Sequence, residues 1–245
     1  MTSLLEVKGL TKRFGGLVAC QDIDLHVGEG QVVGLIGPNG AGKTTFFNCI
    51  SGFYKPTAGT VRFAGHEITK LPAHRVPHTG LVRTFQVVKV LMDMSVVENV
   101  MVGVFGKITG VTEARRRAEE ILSLTGLTAK AFLPARSLTI ADKKRLEVAM
   151  ALGLQPKMLM LDETMAGLNP SEIQAAVDLL RILQKEQGIT LLMVEHVLEA
   201  LIPIADWIYV LDGGRLIAQG VPETVLHDPV VIEAYLGAKY HAKGR

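Results

Sequence analysis

The sequence predicts an α/β fold in which a mixed sheet with a parallel core carries an antiparallel β subdomain and an inserted helical subdomain. Three observations support this prediction. Segments near the N-terminus alternate apolar and polar residues, as half-buried antiparallel strands do. Short apolar runs, typical of strands buried on both faces, occur at residues 31–36, 158–161 and 190–194. From about Leu71 to Leu152 the periodicity of the apolar residues becomes helical.

The first part of the chain is predicted to form strands joined by short turns. The alternating segments are residues 5–8, 23–27 and 60–63. The apolar run 31–36 stops at Gly37, and a helix is predicted from Thr45 onward. In the helical region, one helix buries the residues Ala114, Ala118, Ile121 and Leu122 and is predicted to stop at Gly126.

The last part of the chain returns to strands and helices in alternation. A helix is predicted at residues 170–187, with Asn169 as its cap, Pro170 in its first turn and Gly188 at its end. Residues 207–211 and 215–218 are predicted to form a hairpin, and the tail from Thr224 is predicted to be helical.

The composition allows one large α/β domain and excludes several classes of protein. Of the 245 residues, 48% are hydrophobic and 20% are charged, so the chain can build a core and is not disordered. The net charge of +2 gives no reason to expect nucleic acid as a partner, and the run Arg115–Arg117 is interpreted as a solvated helix face. The mean hydropathy of +0.30 suggests an apolar docking surface for another chain.

Cysteine usage and the apolar segments indicate a cytoplasmic setting. Cys20 and Cys49 are too few for a disulfide framework or a metal site, as expected in a reducing compartment. The N-terminus lacks a signal-peptide pattern. The most apolar stretch, residues 189–211, is interrupted by charged residues and is not predicted to span a membrane.

A glycine-rich motif is the strongest functional signal. Residues 37–44, Gly-Pro-Asn-Gly-Ala-Gly-Lys-Thr, match G-x-x-x-x-G-K-[ST] between a buried strand and a helix. Such a loop turns its backbone N–H groups around phosphates, while the lysine supplies a cation and the last hydroxyl suits Mg²⁺. The alternative is an ordinary glycine-rich turn. The predicted nucleotide contacts are Pro38, Asn39, Gly40, Ala41, Gly42, Lys43, Thr44 and Thr45.

Two acids, Asp162 and Glu163, follow the apolar run 158–161. An aspartate at such a strand end can hold Mg²⁺ through water, and the next glutamate can polarise a water that attacks the γ-phosphate. An acidic strand end by itself is a common turn signal. Together with the upstream phosphate motif, the functional interpretation is the stronger one.

Three further residues become informative through their order along the chain. Phe14 follows the first strand, where it could stack on adenine or belong to the core. Gln86 opens the helical region. His196 follows the strand that ends at Glu195, where it is either structural or able to reach a γ-phosphate.

In this order and spacing, the motifs resemble the ATP-binding subunits of ABC transporters over nearly the whole chain. The resemblance implies a P-loop NTPase fold of ABC type, with a RecA-like core and β subdomain at about 1–84 and 153–245 and a helical subdomain at about 85–152. It implies that Phe14 stacks on adenine, that Gln86 is the catalytic and Mg²⁺-binding glutamine of the Q-loop, and that His196 is the switch histidine. Residues 166–169 fall at the D-loop.

Several segments resemble the branched-chain amino acid uptake family more closely. They lie at residues 10–17, 47–52, 83–86, 98–101 and 232–237. The implied cofactors are ATP and Mg²⁺. The implied partners are a second ATP-binding subunit, two membrane permease subunits and, indirectly, a periplasmic or extracellular binding protein, at the cytoplasmic face of the cell membrane. The alternatives are the ATPase of a lipid or lipopolysaccharide exporter and a weakly hydrolysing regulatory subunit.

The family signature is altered in this chain. The usual Leu-Ser-Gly-Gly-Gln, which closes over the γ-phosphate of the opposite subunit, is replaced by Leu138, Thr139, Ile140, Ala141 and Asp142. Thr139 keeps a hydroxyl donor, whereas Ile140 and Ala141 add side chains where glycine permits close approach. The charge of Asp142 is expected to weaken the closed state unless it points away. Because its own half-site is intact, the chain is predicted to pair with a different ATP-binding subunit; a homodimer is the alternative.

Overall fold

A computed structural model describes the backbone of residues 3–84 and 89–242 and the side chains as far as Tyr235. The strands it contains are β1 (Ser3–Phe14), β2 (Leu17–Gly28), β3 (Val32–Ile36), β4 (Ala58–Phe63), β5 (His66–Glu67), β6 (Leu81–Arg83), β7 (Met158–Asp162), β8 (Thr190–Val194), β9 (Trp207–Asp212) and β10 (Arg215–Gly220). The α-helices are α1 (Lys43–Ile50), α2 (Val96–Val104), α3 (Val111–Leu124), α4 (Ile140–Gly153), α5 (Pro170–Lys185), α6 (Leu198–Leu201), α7 (Pro222–Leu226) and α8 (Pro229–Ala242).

The strands form two sheets, as the predicted fold class requires. A six-stranded sheet has the order β10-β9-β3-β8-β7-β6, and its pairs are parallel except for the β9–β10 hairpin. All five residues of β3, of β7 and of β8 are buried, because helices or the second sheet cover both faces. The second sheet is antiparallel, with the order β2-β1-β4-β5. Since parallel strands end at the same edge, the loops after β3, β7 and β8 meet there.

The long strands β1 and β2 were predicted only in part, since each has twelve residues. Their pairing register shifts between Val7 and Leu10, next to Gly9 at φ 57°. A bulge of this kind interrupts the alternation of apolar and polar residues, so the sequence pattern breaks although the strand continues.

The helices α2, α3 and α4 lie between β6 and β7 in the chain and pack on one another. Their contacts come from residues at helical spacing, including the predicted set Ala114, Ala118, Ile121 and Leu122, all of which are buried. Arg115 and Arg116 are exposed on α3 and Arg117 is half-buried, and ion pairs join the run to Glu113, Glu119 and Glu120. This agrees with its interpretation as a solvated helix face.

One sequence prediction needs correction. Helical structure does not start at Leu71, because a 3-10 turn (Val76–Thr79) and strand β6 precede α2. The tail is helical as predicted, in two segments, since α7 ends before Pro229, a residue that cannot donate the backbone hydrogen bond a continuing helix needs. In the part of the chain that the structure describes, no helix is both long enough and apolar enough to cross a bilayer.

Candidate nucleotide-binding and hydrolysis site

The loop between β3 and α1 forms a cradle that only glycine permits. Gly37 and Gly42 have φ angles of 147° and 102°, where L side chains are strained. A Cβ on Gly37 would lie 2.0 Å from the carbonyl oxygen of Leu211, and one on Gly42 would lie 2.4 Å from that of Ala19. The loop therefore needs bare backbone at both positions, as predicted for a phosphate-binding turn.

The first turn of α1 is open to an anion. Its N-cap is Gly42, and no side chain caps the free N–H groups of the turn. No acid lies in this turn either, so the positive end of the helix is not neutralised locally. Seven of the eight nucleotide contacts predicted for the motif, all but Pro38, border an open cavity of about 530 Å³ beside this turn, a size that suits a nucleotide. Its lining comprises Leu17, Val18, Ala19, Asn39, Gly40, Ala41, Gly42, Lys43, Thr44, Thr45, Glu163, His196, Gly213 and Gly214.

Lys43 is buried within the cradle. Its ammonium donates to the carbonyl oxygens of Gly37 at 2.7 Å and Pro38 at 2.9 Å. Burial lowers the pKa of Lys43, while the carboxylates of Glu163 and Asp162 act in the opposite direction. These carbonyl contacts hold the cation at the cavity, where phosphate oxygens could replace them.

Asp162 ends β7 with one oxygen paired and one unpaired. Its Oδ2 accepts from Nη2 of Arg83 at 2.6 Å, whereas the buried Oδ1 has no hydrogen-bond partner among the described residues. A buried carboxylate oxygen without a donor is suited to a cation or to its bound water. The donor set of Asp162 and the Thr44 hydroxyl therefore fits Mg²⁺.

Glu163 and His196 are brought together at the cavity. Nε2 of His196 lies 3.0 Å from Oε1 of Glu163. Glu163 adopts a left-handed backbone with φ 52°, and its N–H donates to the carbonyl of Val194 at 2.8 Å. The end of β7 is thus joined to the end of β8, so the two side chains predicted to act on the γ-phosphate share one hydrogen bond.

Phe14 lies at the end of β1, 42% exposed. Its ring packs edge-on against Tyr54 with centroids 5.3 Å apart, and Nζ of Lys12 lies 4.9 Å from its centroid. Of the described residues in the β1–β2 turn, Leu17 borders the cavity and Phe14 does not. Adenine stacking by Phe14 stays a prediction. Gln86 lies outside the described residues.

The altered signature lies at the start of α4. Thr139 is the N-cap, and its hydroxyl oxygen accepts from the N–H of Asp142 at 3.2 Å. The hydroxyl proton is directed at the Asp142 carboxylate, 2.9 Å away, and not outward. Leu138 is buried, Ala141 is half-buried, and Ile140 is 65% exposed.

The carboxylate of Asp142 points inward and forms an ion pair with Lys130. Burial acts to raise the pKa of Asp142, but the hydrogen bonds from Lys130 and Thr139 outweigh it and hold the pKa below its usual value. The acid is therefore ionised and neutralised within its own lobe. Its Oδ2 lies at the start of α4, where it accepts from the Thr139 hydroxyl and is paired with Lys130.

Sequence profiles decide the family. The ABC transporter profile matches residues 20–166, and the profile of the branched-chain amino acid ATP-binding cassette transporter matches residues 215–241. The chain belongs to the ABC transporter family. As one of its ATP-binding cassettes, it is an ATPase whose hydrolysis powers transport.

Relatives of this cassette align with it in sequence over almost its whole length. It is 43% identical to BraF, a high-affinity branched-chain amino acid transport ATP-binding protein of Pseudomonas aeruginosa, over 96% of this chain and 98% of the relative. It is 41% identical to LivG of Escherichia coli, with the same description and the same coverage. The lipopolysaccharide export protein LptB of Acidithiobacillus ferridurans is more distant, at 33% identity over 98% and 99% of the chains.

Solved cassettes share its fold. The ADP conformation of the cassette MJ1267 has a TM-score of 0.88 and 31% identity, covering 97% of this chain and 100% of that one. A dimeric cassette, MJ0796 with ADP and Pi, has a TM-score of 0.80 and 25% identity, covering 89% and 98%.

Four charged residues of the ABC cassette were not predicted as part of the site: Arg83, Lys130, Lys144 and Glu195. Arg83 was noted only within a family-like segment, and the contacts of Lys130 and Lys144 join residues far apart in the chain. Glu195 is buried and accepts from Oγ1 of Thr164 at 3.0 Å and from the N–H of Met165 at 3.1 Å. Burial raises its pKa to about 7, opposed by those hydrogen bonds and by Lys144.

Proposed function

We propose that this chain is the ATP-hydrolysing subunit of an importer for branched-chain or related amino acids. The observation that carries the hydrolytic part is the 3.0 Å contact between Glu163 and His196 at the mouth of the phosphate cradle. The amino-acid part is supported by BraF and LivG, which are more similar to the chain than LptB is.

In the proposed mechanism, the cradle holds the phosphates of ATP. The N–H groups of the α1 first turn and the buried ammonium of Lys43 neutralise the β- and γ-phosphates. The Thr44 hydroxyl and, through water, the free Oδ1 of Asp162 would hold Mg²⁺, which would supply positive charge to the phosphate oxygens. The adenine is expected at Phe14.

Glu163 is the residue proposed to orient the attacking water. Its carboxylate is within hydrogen-bond distance of His196, so the histidine can fix the carboxylate and also contact the γ-phosphate. Gln86 is proposed to contact the same attacking water and the Mg²⁺ ion. A regulatory subunit without hydrolysis would not need this arrangement of Glu163 and His196.

The second half of each composite site comes from another ATP-binding subunit. We infer a different chain, because this chain keeps its own phosphate cradle and acids but offers a signature with Ile140 and Ala141 in place of glycines. The two cassettes would close at the cytoplasmic face of the membrane on two permease subunits, with a binding protein delivering the cargo. Closure by ATP and opening after hydrolysis would shift the transporter between two states.

The test is an ATPase assay of Glu163→Gln in the assembled transporter. The variant is expected to bind Mg²⁺·ATP as before and to lose hydrolysis at this site by on the order of 10²–10⁴-fold, as loss of a general base does. Glu186→Gln, the same change at the exposed end of α5, should leave turnover unaltered. Unchanged hydrolysis by Glu163→Gln contradicts the assignment. Co-purification of two permeases and stimulation by a binding protein separate an importer from an exporter.

A further inference from the structure

The loop after β7 is held in an unfavourable backbone conformation. Glu163 has a φ of 52°, a left-handed value that a residue with a Cβ rarely adopts. Such a conformation persists only where the surroundings impose it, and it aims the side chain at the cavity. The contacts that impose it therefore bear on the position of the catalytic carboxylate.

Two charged side chains hold this loop, one at the end of β8 and one on α4. Glu195, at the end of β8, accepts from Thr164 and Met165 as described above. Lys144 approaches from α4, and its ammonium donates to the carbonyl oxygens of Glu163 at 3.2 Å and of Ala166 at 2.7 Å. The two acceptors of Lys144 lie at the two ends of the turn, so one cation fixes its curvature.

We infer that Lys144 is a positioning residue for hydrolysis, which ties the loop of Glu163 to the helix that begins with the signature. Lys144 is in the second turn of α4, two residues beyond Asp142, and it contacts the backbone on which Glu163 is mounted. A movement of α4 as its N-terminus meets the partner's nucleotide is thereby passed to the carboxylate that acts on this chain's own nucleotide. This inference rests on the proposed function.

The carboxylates near Lys144 favour the charged form of its side chain. Burial lowers the pKa of Lys144, and the carboxylates of Glu195, Glu147 and Glu163 oppose that shift. Removal of the half-buried ammonium therefore takes the donor from the carbonyl oxygens of Glu163 and Ala166. An arginine could reach the same carbonyls, whereas a methionine of similar length could not donate.

The first experiment measures kcat and KM for ATP, and nucleotide affinity, in the assembled transporter carrying Lys144→Met or Lys144→Arg. We expect Lys144→Met to lower kcat at least about tenfold with KM and affinity within about twofold, since a displaced catalytic group costs transition-state and not ground-state stabilisation. Lys144→Arg should recover most of the loss. Lys143→Met, at the adjacent position of the same helix, is the matched control and should resemble the unmodified protein.

Equal losses from Lys143→Met and Lys144→Met, or a normal kcat in Lys144→Met, overturn the inference. If Lys144→Met lowers the unfolding temperature, Lys144→Arg decides the matter: a folded arginine variant that stays as inactive as the methionine variant is also evidence against it. Failure of the proposed function would give a different experimental result. In that case Glu163→Gln itself hydrolyses ATP normally, whereas failure of the inference alone leaves Glu163→Gln without hydrolysis at this site.

A second experiment tests the link to the signature. In a transporter carrying Glu163→Gln, the remaining hydrolysis comes from the partner's phosphate cradle, which this chain serves through its signature at residues 138–142. Adding Lys144→Met should lower that remaining rate at least about threefold if α4 and the loop move as one unit, whereas an unchanged rate rejects the link. Glu163→Gln with Lys143→Met is the matched control.

Discussion

The guanidinium of Arg83 donates from Nη2 to Oδ2 of Asp162 at 2.6 Å, in an ion pair whose side chains are 6% and 0% exposed. From Nη1 the same guanidinium donates to Oδ1 of Asn48 at 2.6 Å and to Oγ of Ser51 at 3.0 Å. It therefore joins β6, β7 and the end of α1. The bond to Oδ2 also fixes the orientation of the Asp162 carboxylate and leaves Oδ1 for a cation.

Replacement of Arg83 by methionine is expected to destabilise the protein by about 3 kcal/mol, because it leaves a buried carboxylate without its partner. Urea unfolding of the two purified chains measures the difference. Arg136→Met is the control, since it breaks a pair with Asp93 whose side chains are 67% and 90% exposed, and it should have no measurable effect. A stability of Arg83→Met equal to that of the control would show that the buried pair is not stabilising.

The elements encoded by neighbouring residues could be predicted, and the long-range pairs could not. The phosphate cradle and the strand β8 follow from local patterns of glycine and buried apolar residues. Strand β6 has only three residues, too few for a period, and its role depends on pairing with β7. Arg83 and Asp162 are 79 positions apart, so only the folded sheet brings them together. The inward direction of Asp142 likewise depends on Lys130, outside the signature.

Loss of Lys130 should impair the signature through Asp142. In Lys130→Ala the buried carboxylate loses its cation, and we expect about 1 kcal/mol of destabilisation, since Lys130 is 41% exposed and the pair is partly screened. We also expect weaker ATP-dependent pairing of the cassettes, because the unneutralised charge lies at the start of α4. The double change Lys130→Ala with Asp142→Asn removes both charges and should recover the pairing, as measured by size-exclusion chromatography with Mg²⁺·ATP. A double variant no better than Lys130→Ala would contradict this account.

Glu195 should make stability depend on pH. Its pKa is about 7 in the folded protein because of burial, against 4.5 for the ordinary group, so between these values the native state holds a proton that the unfolded state has released. Stability from this residue is therefore greatest below about pH 4.5, falls as the pH rises to about 7, and is constant above. The full difference is on the order of 3 kcal/mol.

Glu195→Gln isolates this contribution. The amide oxygen can still accept from Thr164 and Met165, but the side chain no longer titrates. We expect the variant to be more stable than the unmodified chain at pH 8 and nearly equal to it at pH 5, measured by urea unfolding at both values. Glu186→Gln, at an exposed site, should keep the original dependence. An identical pH profile for Glu195→Gln and the unmodified chain would rule out a raised pKa.

Gly42→Ala should disable the phosphate cradle by backbone strain alone. Gly42 has a φ of 102°, and its new Cβ would lie 2.4 Å from the Ala19 carbonyl oxygen, so both the turn and β2 must move. We expect destabilisation of about 2–4 kcal/mol and loss of Mg²⁺·ATP binding in calorimetry, because the first N–H groups of α1 would no longer point toward the phosphates. Gly40→Ala is the matched control, since it shares a positive φ of 84° but its Cβ would meet no atom within 4 Å. Gly40→Ala therefore has the backbone strain of a positive φ without the steric clash, and this variant should still bind the nucleotide. Equal nucleotide affinity in the two variants would show that the close approach at Ala19 has no part in forming the site.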